Sequence, residues 1–305
     1  MGSLNKFTGK LVVVTGPTAS GKTGISIKLA KYFGAPIISA DSRQFYKEIP
    51  IGTAAPARGE LKAAKHYMIG QLSISDEYNV SKFEVDVLNL LNNELVDCPV
   101  VIMTGGSGLY IDAVCKGIDQ LPDIDHDIRS SIKQVFEDNG VDELRNMLLD
   151  LDPEYYEQVD LNNPVRLMRA IEVCQQTGKR YSDLRKNNPA IRSFDIIKIA
   201  INIPRDILVE RINKRTDSMI SQGWLKEVES VFEHRMLNSL NTVGYKELFA
   251  YLENKVTLPE AVEKIKTNTR RYAKRQMTWF RRDDSLNWFS PDDIEGIIQL
   301  IENGG

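Results

Sequence analysis

Short apolar runs alternate with segments of helical pattern over the first third of the chain. Residues 10–15 (KLVVVT), 35–40 and 100–104 are apolar runs of strand length. Between them, residues 25–33 and 80–95 carry apolar side chains at helical spacing. An alternation of this kind predicts an α/β fold, in which helices flank a parallel sheet.

The pattern changes in the middle of the chain. Residues 119–192 contain helical segments without a convincing strand, whereas residues 195–203 (DIIKIAINI) again have the pattern of a core strand. The remainder is helical in pattern, except for a short strand candidate at residues 288–289. We therefore predict an α/β core formed by residues 1–118 and 193–305, with residues 119–192 inserted as a helical domain.

Composition and charge narrow the class of protein. The 305 residues are 42% hydrophobic and 27% charged, which is an ordinary globular balance. No apolar run approaches the roughly 18 residues of a membrane span, and no signal peptide is recognisable. Three widely spaced cysteines favour a reducing cytoplasm over a disulfide framework. The net charge of −3 excludes a globally basic nucleic-acid binder but leaves room for a local basic patch.

A glycine-rich loop follows the first strand candidate. Its sequence GPTASGKT fits the pattern G-x-x-x-x-G-K-[ST] and lies between a strand and a helix, as a phosphate-binding loop requires. Backbone N–H groups and the helix N-terminus attract the phosphates, the lysine reaches the terminal ones, and Thr23 is a candidate Mg²⁺ ligand. This glycine loop predicts a P-loop NTPase-like sheet and consists of Gly16, Pro17, Thr18, Ala19, Ser20, Gly21, Lys22 and Thr23.

Polar residues also follow the second and third strand candidates. Asp41 and Ser107 lie there, and ligands of open α/β sheets bind at the carboxyl ends of the strands. A carboxylate at that edge can take a proton from a nucleophile or hold Mg²⁺ through water. Asp41 is equally well explained as a turn or cap residue, and Ser107 as the cap of the next helix.

Residues 266–282 (KTNTRRYAKRQMTWFRR) form a basic, aromatic segment of helical pattern. They contain seven Lys or Arg residues and no acidic residue, in a chain that is acidic overall. Cations contact a phosphate backbone and aromatic rings stack on unpaired bases, which favours nucleic-acid contact. The alternative is a solvated amphipathic helix that docks through its aromatic side chains.

Two pairs of arginines have helical spacing. Arg211 and Arg215 share one helix face and could clamp a diphosphate, although pairing with Glu210 or Asp217 is an alternative. Arg166 and Arg169 also share a face, which suits a clamp on an RNA backbone.

Taken together, the motifs resemble those of the tRNA dimethylallyltransferase family, also called tRNA isopentenyltransferases. Their order and spacing carry the resemblance, which covers roughly residues 10–290. The segments are GPTASGKT (16–23), ADSRQFY (40–46), IGTAAP (51–56), GGSGLY (105–110), NPVRLMRAIEV (163–173), VGYKEL (243–248) and TRRYAKRQMTWFRR (269–282).

The resemblance implies a reaction and its participants. The family transfers a dimethylallyl group from dimethylallyl diphosphate to the exocyclic amine of the tRNA adenosine 3′ to the anticodon. The glycine loop would then hold the prenyl diphosphate rather than ATP, with Mg²⁺ as cofactor. Asp41 would act as general base, Ser107 would lie beside the reacting centre, and Lys22, Arg211 and Arg215 would neutralise the leaving group.

The resemblance also implies two RNA-binding regions, the helical insertion and the basic segment, on the anticodon stem-loop. The residues implied to contact tRNA are Asp41, Ser42, Arg43, Gln44, Ser107, Arg129, Val165, Arg166, Leu167, Met168, Arg169, Asn241, Thr242, Val243, Gly244, Tyr245, Lys246, Lys274, Arg275, Gln276, Met277, Thr278, Trp279, Phe280 and Arg281. We expect a cytoplasmic monomer without a membrane partner.

Two other functions fit parts of the sequence. A small-molecule or nucleoside kinase would use the same loop, aspartate and sheet, but would leave residues 266–282 unexplained. An RNA-binding ATPase would explain that segment, but the third strand candidate ends in Thr-Gly-Gly instead of the acidic residue that such an enzyme needs.

Overall fold

The structure is a computed structural model that describes residues 6–119, 121–186 and 188–304. Part of the segment searched for a signal peptide, residues 1–5, lies outside the described residues, as do positions 120 and 187 of the predicted insertion. The chain divides into an α/β unit, Met1–Lys116 with Ile191–Gly305, and a helical unit, Gly117–Ala190. The division falls two residues before each domain boundary that the sequence predicts.

The α/β unit contains six strands and most of the helices. Its strands are β1 (Lys10–Thr15), β2 (Ile37–Ser39), β3 (His66–Tyr67), β4 (Val100–Gly105), β5 (Asp195–Ile201) and β6 (Asn287–Phe289). Its helices are α1 (Lys22–Phe33), α2 (Arg58–Ala63), α3 (Val80–Asn93), α4 (Gly108–Lys116), α9 (Arg205–Ser221), α10 (Trp224–Ser230), α11 (Tyr245–Leu252), α12 (Leu258–Phe280) and α13 (Ile294–Asn303). The helical unit supplies α5 (His126–Leu151), α6 (Pro153–Tyr156), α7 (Pro164–Thr177) and α8 (Tyr181–Leu184).

The six strands form one parallel sheet in the order β3-β2-β4-β1-β5-β6. This confirms the predicted α/β class with a parallel sheet flanked by helices. β1 lies in the middle, and the chain leaves it toward β2 on one side and later returns to β5 on the other. The carboxyl ends of β1 and its neighbour β4 are therefore the edge where a crevice for a ligand is expected.

Local sequence explains where several helices begin and end. The Asn79 side chain accepts a hydrogen bond from the Lys82 amide at the start of α3, and Gly34 ends α1 in the left-handed conformation. Thr257 and Glu260 form a capping box that starts the long basic helix α12. Apolar residues of β1 pack on both faces of the sheet, so β1 is buried throughout its last five residues.

The structure also differs from the sequence analysis in detail. The strand β3 has only two residues and was not predicted, because so short a segment has no periodicity. Helix α1 begins at Lys22, three residues before the predicted start, and Gly140 interrupts α5 with a φ of 77°. Within the described residues, no helix is long and apolar enough to cross a membrane.

The helical unit has a core of its own. Helices α5 and α7 pack against each other around Leu144, Leu148, Leu167 and Ile171, each of which is completely buried. The Asp152 carboxylate accepts hydrogen bonds from Tyr155 and Ser182 and so ties α6 to α8. A separate core is what an inserted domain needs in order to hold its own shape.

Candidate active site

The glycine loop connects β1 to α1 at the centre of the sheet. Gly16 and Gly21 have φ values of 146° and 98°, in the region that favours glycine. A Cβ atom at Gly16 would lie 3.0 Å from the carbonyl oxygen of Ile201, so the neighbouring strand also requires a glycine there. The first amides of α1 have no partner within the helix, and this turn aims them at the space in front of the loop.

Lys22 lies folded over the glycine loop. Its Nζ donates hydrogen bonds to the carbonyl oxygens of Gly16 and Pro17, at 2.9 and 2.8 Å. Burial lowers the pKa of Lys22 to about 8, an effect that Asp41 opposes and Arg215 reinforces. The ammonium group thus lies at the glycine loop, where a lysine can reach a bound phosphate.

The two arginines of α9 both reach the glycine loop. Arg215 donates to the Thr18 hydroxyl, and Arg211 Nη1 lies 3.4 Å from the Ser20 carbonyl oxygen. Their alternative partners are engaged elsewhere, since Glu210 pairs with Lys214 and Asp217 with Lys266. The structure thus places both predicted arginines at the glycine loop, the predicted binding site of the diphosphate.

Asp41 follows β2 and lies beside these cations. Its Oδ1 accepts a hydrogen bond from the Arg43 amide at 3.1 Å, as the turn interpretation predicts. Burial raises the pKa of Asp41, and the Arg43 amide together with Lys22, Arg43 and Arg215 limits that rise. A carboxylate with a raised pKa in a cleft is a candidate general base.

Ser107 bonds to the segment that carries Asp41. Its Oγ accepts a hydrogen bond from the Ser42 amide at 3.0 Å and lies 3.2 Å from the Ser42 hydroxyl. A simple strand–helix turn, the alternative interpretation of Ser107, does not account for this contact between the segments that follow β4 and β2. Ser107 fixes the Asp41 turn relative to β4.

Lys22, Asp41 and the two arginines line one cleft with two arms, whereas Ser107 is not among the lining residues of either arm. The arms share Thr18, Asp41, Thr53, Ala54, Arg215 and Tyr272. The phosphate arm adds Ala19, Gly21, Lys22, Thr23, Gln44, Thr104, Gly105, Gly106, Arg211 and Gln276. The second arm adds Arg43, Gly52, Thr216, Met219, Trp224, Thr242, Val243, Ile265 and Thr269, so apolar side chains lie among polar ones in its lining. Gly16, Pro17 and Ser20, three of the predicted phosphate residues, are buried behind the loop surface.

Sequence reasoning missed the residues that shape the junction of the two arms. Tyr272 of α12 faces both arms, and burial and the Asp41 carboxylate raise its pKa. Glu227 of α10 accepts hydrogen bonds from the amides of Ile51 and Gly52, at 2.7 and 2.8 Å. It thereby holds the loop that presents Thr53. The motif IGTAAP was the only signal for this loop, and it gave no indication of its partner.

The residues implied to bind RNA in the α/β unit divide into exposed and buried ones. Exposed side chains are Asn241, Lys246, Lys274, Arg275, Thr278 and Arg281, and partly exposed ones are Ser42, Arg43, Gln44, Thr242, Val243, Met277 and Trp279. Gly244, Tyr245, Gln276 and Phe280 are buried. Arg43 also donates to the Asn238 and Ser239 carbonyl oxygens, and Trp279 to Asp112.

The buried members require a correction. Tyr245 is completely buried and donates to Glu227 at 2.6 Å, while Phe280 belongs to the core beside the sheet. Gly244 lies against the Trp224 ring, and Gln276 bonds to the glycine loop. The buried side chains of Tyr245, Gln276 and Phe280 support the neighbouring surface and are not accessible to an RNA.

In the helical unit, the same division follows the faces of α7. Val165 and Arg166 are exposed, Met168 and Arg169 are partly exposed, and Leu167 is completely buried in the core of the unit. Leu167 is therefore corrected from an RNA contact to a core residue. Arg129 and Arg169 both lie near the Glu172 carboxylate, at 3.9 and 3.8 Å.

Comparison with known proteins gives consistent findings. A family model described as IPP transferase matches residues 44–283. A tRNA dimethylallyltransferase 2 from Parabacteroides distasonis is 51% identical over 288 residues, covering 94% of this chain and 96% of the relative. A tRNA dimethylallyltransferase 1 from Bacteroides thetaiotaomicron is 46% identical over 291 residues, covering 95% and 94%.

Solved structures show the same fold. The full-length tRNA isopentenylpyrophosphate transferase from Bacillus halodurans superposes with a TM-score of 0.69 at 33% identity, covering 96% of this chain and 94% of that one. A eukaryotic dimethylallyltransferase solved while acting on tRNA gives a TM-score of 0.76 at 25% identity, covering 97% and 77%. The family model begins after the glycine loop and Asp41, but these full-length similarities span both.

Proposed function

The chain belongs to the IPP transferase family, and we propose that it transfers a dimethylallyl group from dimethylallyl diphosphate to the exocyclic amine of the tRNA adenosine 3′ to the anticodon. The observation that carries this proposal is the meeting at Asp41 of a phosphate arm and a second arm whose lining includes apolar side chains. A prenyl diphosphate has a part for each arm, and an incoming amine would lie beside the carboxylate. The names of the relatives favour this transfer over the kinase and ATPase alternatives.

The phosphate arm would bind and stabilise the diphosphate. When the bond between the allylic carbon and the diphosphate oxygen breaks, negative charge grows on the leaving group. The side chains of Lys22, Arg211 and Arg215 contact the glycine loop, and with the amides at the start of α1 they would surround the leaving group. Groups already aimed at developing charge lower the barrier, because they need no reorganisation during the reaction.

Asp41 would handle the proton of the nucleophile. As the nitrogen–carbon bond forms, the amine must lose a proton, and the carboxylate accepts it. The raised pKa of Asp41 makes its carboxylate a better proton acceptor than that of an ordinary surface aspartate. The adenine must leave its stack to reach this cleft, as bases do in other enzymes that modify them.

The site fits a Mg²⁺ ion that is held mainly by the substrate. Thr23 lies on the phosphate arm together with Asp41. Among the described residues, no group of three or more His, Cys, Asp or Glu side chains could hold a metal ion. Mg²⁺ commonly combines one or two protein ligands with phosphate oxygens and water, so Thr23 would hold it there. The ion would add positive charge beside the leaving diphosphate.

The RNA would contact the exposed cations of α12 and the exposed residues of α7. Lys274, Arg275 and Arg281 are open to solvent, and so is Arg166 of the helical unit. Such contacts to phosphates position the anticodon stem-loop without reading its sequence. We place the reaction in the cytoplasm and in a monomer. Three free cysteines, Cys98, Cys115 and Cys174, agree with a reducing compartment.

The proposal is tested by incubating the protein with unmodified tRNA, Mg²⁺ and dimethylallyl diphosphate, followed by mass analysis of the nucleosides. We expect an adenosine that carries one dimethylallyl group, and released diphosphate in equal amount. A parallel reaction with ATP tests the alternatives. Hydrolysis of ATP, or phosphorylation of a nucleoside, without prenylated adenosine would contradict the proposal.

A further inference from the structure

Gln276 lies in the basic segment of α12, but its contacts are with the glycine loop. Its Oε1 accepts a hydrogen bond from the Thr18 amide at 2.8 Å, and its Nε2 donates to the Gly106 carbonyl oxygen at 2.9 Å. The side chain is only 6% exposed. The amide of Gln276 therefore bridges the loop after β1 and the loop after β4.

The packing around this bridge is close. A Cβ atom at Gly106 would overlap the Gln276 amide nitrogen, so position 106 must be glycine for the bridge to form. Thr18 is held twice, because its amide bonds to Gln276 of α12 and its hydroxyl to Arg215 of α9. Two helices thus fix the one residue of the glycine loop that lines both arms of the cleft.

The neighbouring cations of α12 have different surroundings. Lys274 and Arg281 are exposed, whereas Tyr272 and Gln276, one turn apart, face the cleft. One helix therefore presents an exposed cationic face and a buried cleft face. A neutral amide on the buried face adds no attraction for a phosphate backbone, so its contribution must come from geometry.

We infer that Gln276 is a positioning residue of the diphosphate site and contributes nothing directly to RNA binding. It acts through Thr18 and Gly106, which it holds at the distance that the phosphate arm requires. This inference rests on the proposed function, and it assigns to the diphosphate a residue inside the segment that the sequence assigns to RNA.

Substitutions on the two faces of α12 distinguish diphosphate binding from RNA binding. Gln276→Met keeps the shape of the side chain and removes both hydrogen bonds, so we expect the Kd for inorganic diphosphate to rise about tenfold. The Kd for an unmodified anticodon stem-loop should change less than about twofold. The double variant Lys274→Met with Arg281→Met should show the reverse, with weaker RNA binding and unchanged diphosphate binding.

Two further variants serve as controls for this interpretation. Gln222→Met, at an exposed position at the end of α9, is the matched control and should change neither Kd. Gln276→Glu keeps an acceptor for the Thr18 amide but cannot donate to Gly106 and places a negative charge on the phosphate arm. It should also weaken diphosphate binding selectively, so the test does not depend on how well the methionine variant folds.

Steady-state kinetics give a second readout. The KM for dimethylallyl diphosphate should rise in Gln276→Met, while the KM for tRNA should not. Loss of RNA affinity in Gln276→Met, equal loss of both affinities, or loss of neither would overturn the inference. If the wild-type protein itself prenylates no tRNA, the proposed function fails instead, and the direct binding measurements still decide the role of Gln276.

Discussion

The cleft of the α/β unit and the surface of the helical unit use arginine and lysine in different ways. In the cleft, the partly exposed Lys22 and Arg215 lie beside a single carboxylate, Asp41, and desolvation lowers the pKa of both cations. In the helical unit, Arg129 is exposed and Arg169 is partly exposed, and both lie near Glu172. Ion pairs at a surface contribute little and are screened by salt, whereas charges in a desolvated cleft act strongly on a bound ligand. We therefore expect the chemistry in the cleft, and contacts to RNA phosphates at exposed cations of the helical unit and of α12.

Apart from the Asp41 variant described last, the largest effect that would test this contrast is expected at Lys22. Lys22→Met removes a cation aimed at the leaving diphosphate, so kcat/KM for dimethylallyl diphosphate should fall about 10²- to 10³-fold. Binding of an anticodon stem-loop, measured by fluorescence anisotropy, should be unchanged. A variant with nearly normal kcat/KM would remove Lys22 from the diphosphate site.

The second test concerns the core of the helical unit. Leu167 is completely buried, and Leu167→Ala should lower the free energy of unfolding by about 2–5 kcal/mol through cavity formation. Arg166→Ala, one position earlier and exposed, should change it by less than about 0.5 kcal/mol. Urea unfolding followed by circular dichroism measures both. Equal stability of the two variants would contradict the buried position of Leu167.

The pH dependence of the reaction follows from the two shifted groups in the cleft. Asp41 must be ionised to accept a proton, so kcat/KM should fall as the pH drops through its raised pKa. Lys22 must be protonated to attract the diphosphate, so kcat/KM should also fall as the pH rises through about 8. Each limb should approach about a tenfold change per pH unit.

The variant Lys22→Arg separates the two limbs. An arginine stays protonated over this range, so the fall above pH 8 should disappear while the acidic limb persists. A pH–rate profile of kcat/KM for both proteins provides the measurement. An unchanged alkaline limb in the arginine variant would assign that limb to another group.

The smallest effect is expected on the RNA-binding side. Arg166→Ala removes one exposed cation, so the KM for tRNA should rise about threefold, and the KM for dimethylallyl diphosphate should not change. The difference between the two proteins should shrink as salt is added, because the lost contact is electrostatic. A larger effect on kcat than on KM would place Arg166 in the chemistry instead.

Much of the fold and of the cleft can be predicted from the sequence, because the patterns that indicate them are local. The apolar run of β1, the glycine loop and the helical pattern of residues 25–33 follow one another closely, so their order predicts both the fold and the phosphate arm. β3 was missed because two residues carry no pattern. The hydrogen bonds between Gln276 and Thr18 and between Glu227 and Gly52 join residues far apart in the chain, so no local sequence pattern predicts them.

The RNA-binding residues show a different limit. The resemblance implies RNA contact for every residue of segments such as 165–169 and 274–281, although successive side chains of a helix point in different directions. Arg166 and Lys274 are exposed, whereas Leu167 and Phe280 face a core. Helical periodicity within each segment could have separated exposed positions from buried ones. The resemblance obscured this signal, because it assigned each contiguous motif to RNA contact as a whole.

The most direct test of the contrast is the single-turnover rate of prenyl transfer at saturating tRNA and dimethylallyl diphosphate. Asp41→Asn, which removes the proton acceptor of the cleft, is compared with Arg169→Gln of the helical unit. We expect the first variant to bind both substrates and to react about 10²- to 10⁴-fold more slowly, and the second to react at the wild-type rate. A wild-type rate in Asp41→Asn, or an equal loss in Arg169→Gln, would contradict the assignment of the chemistry to the cleft.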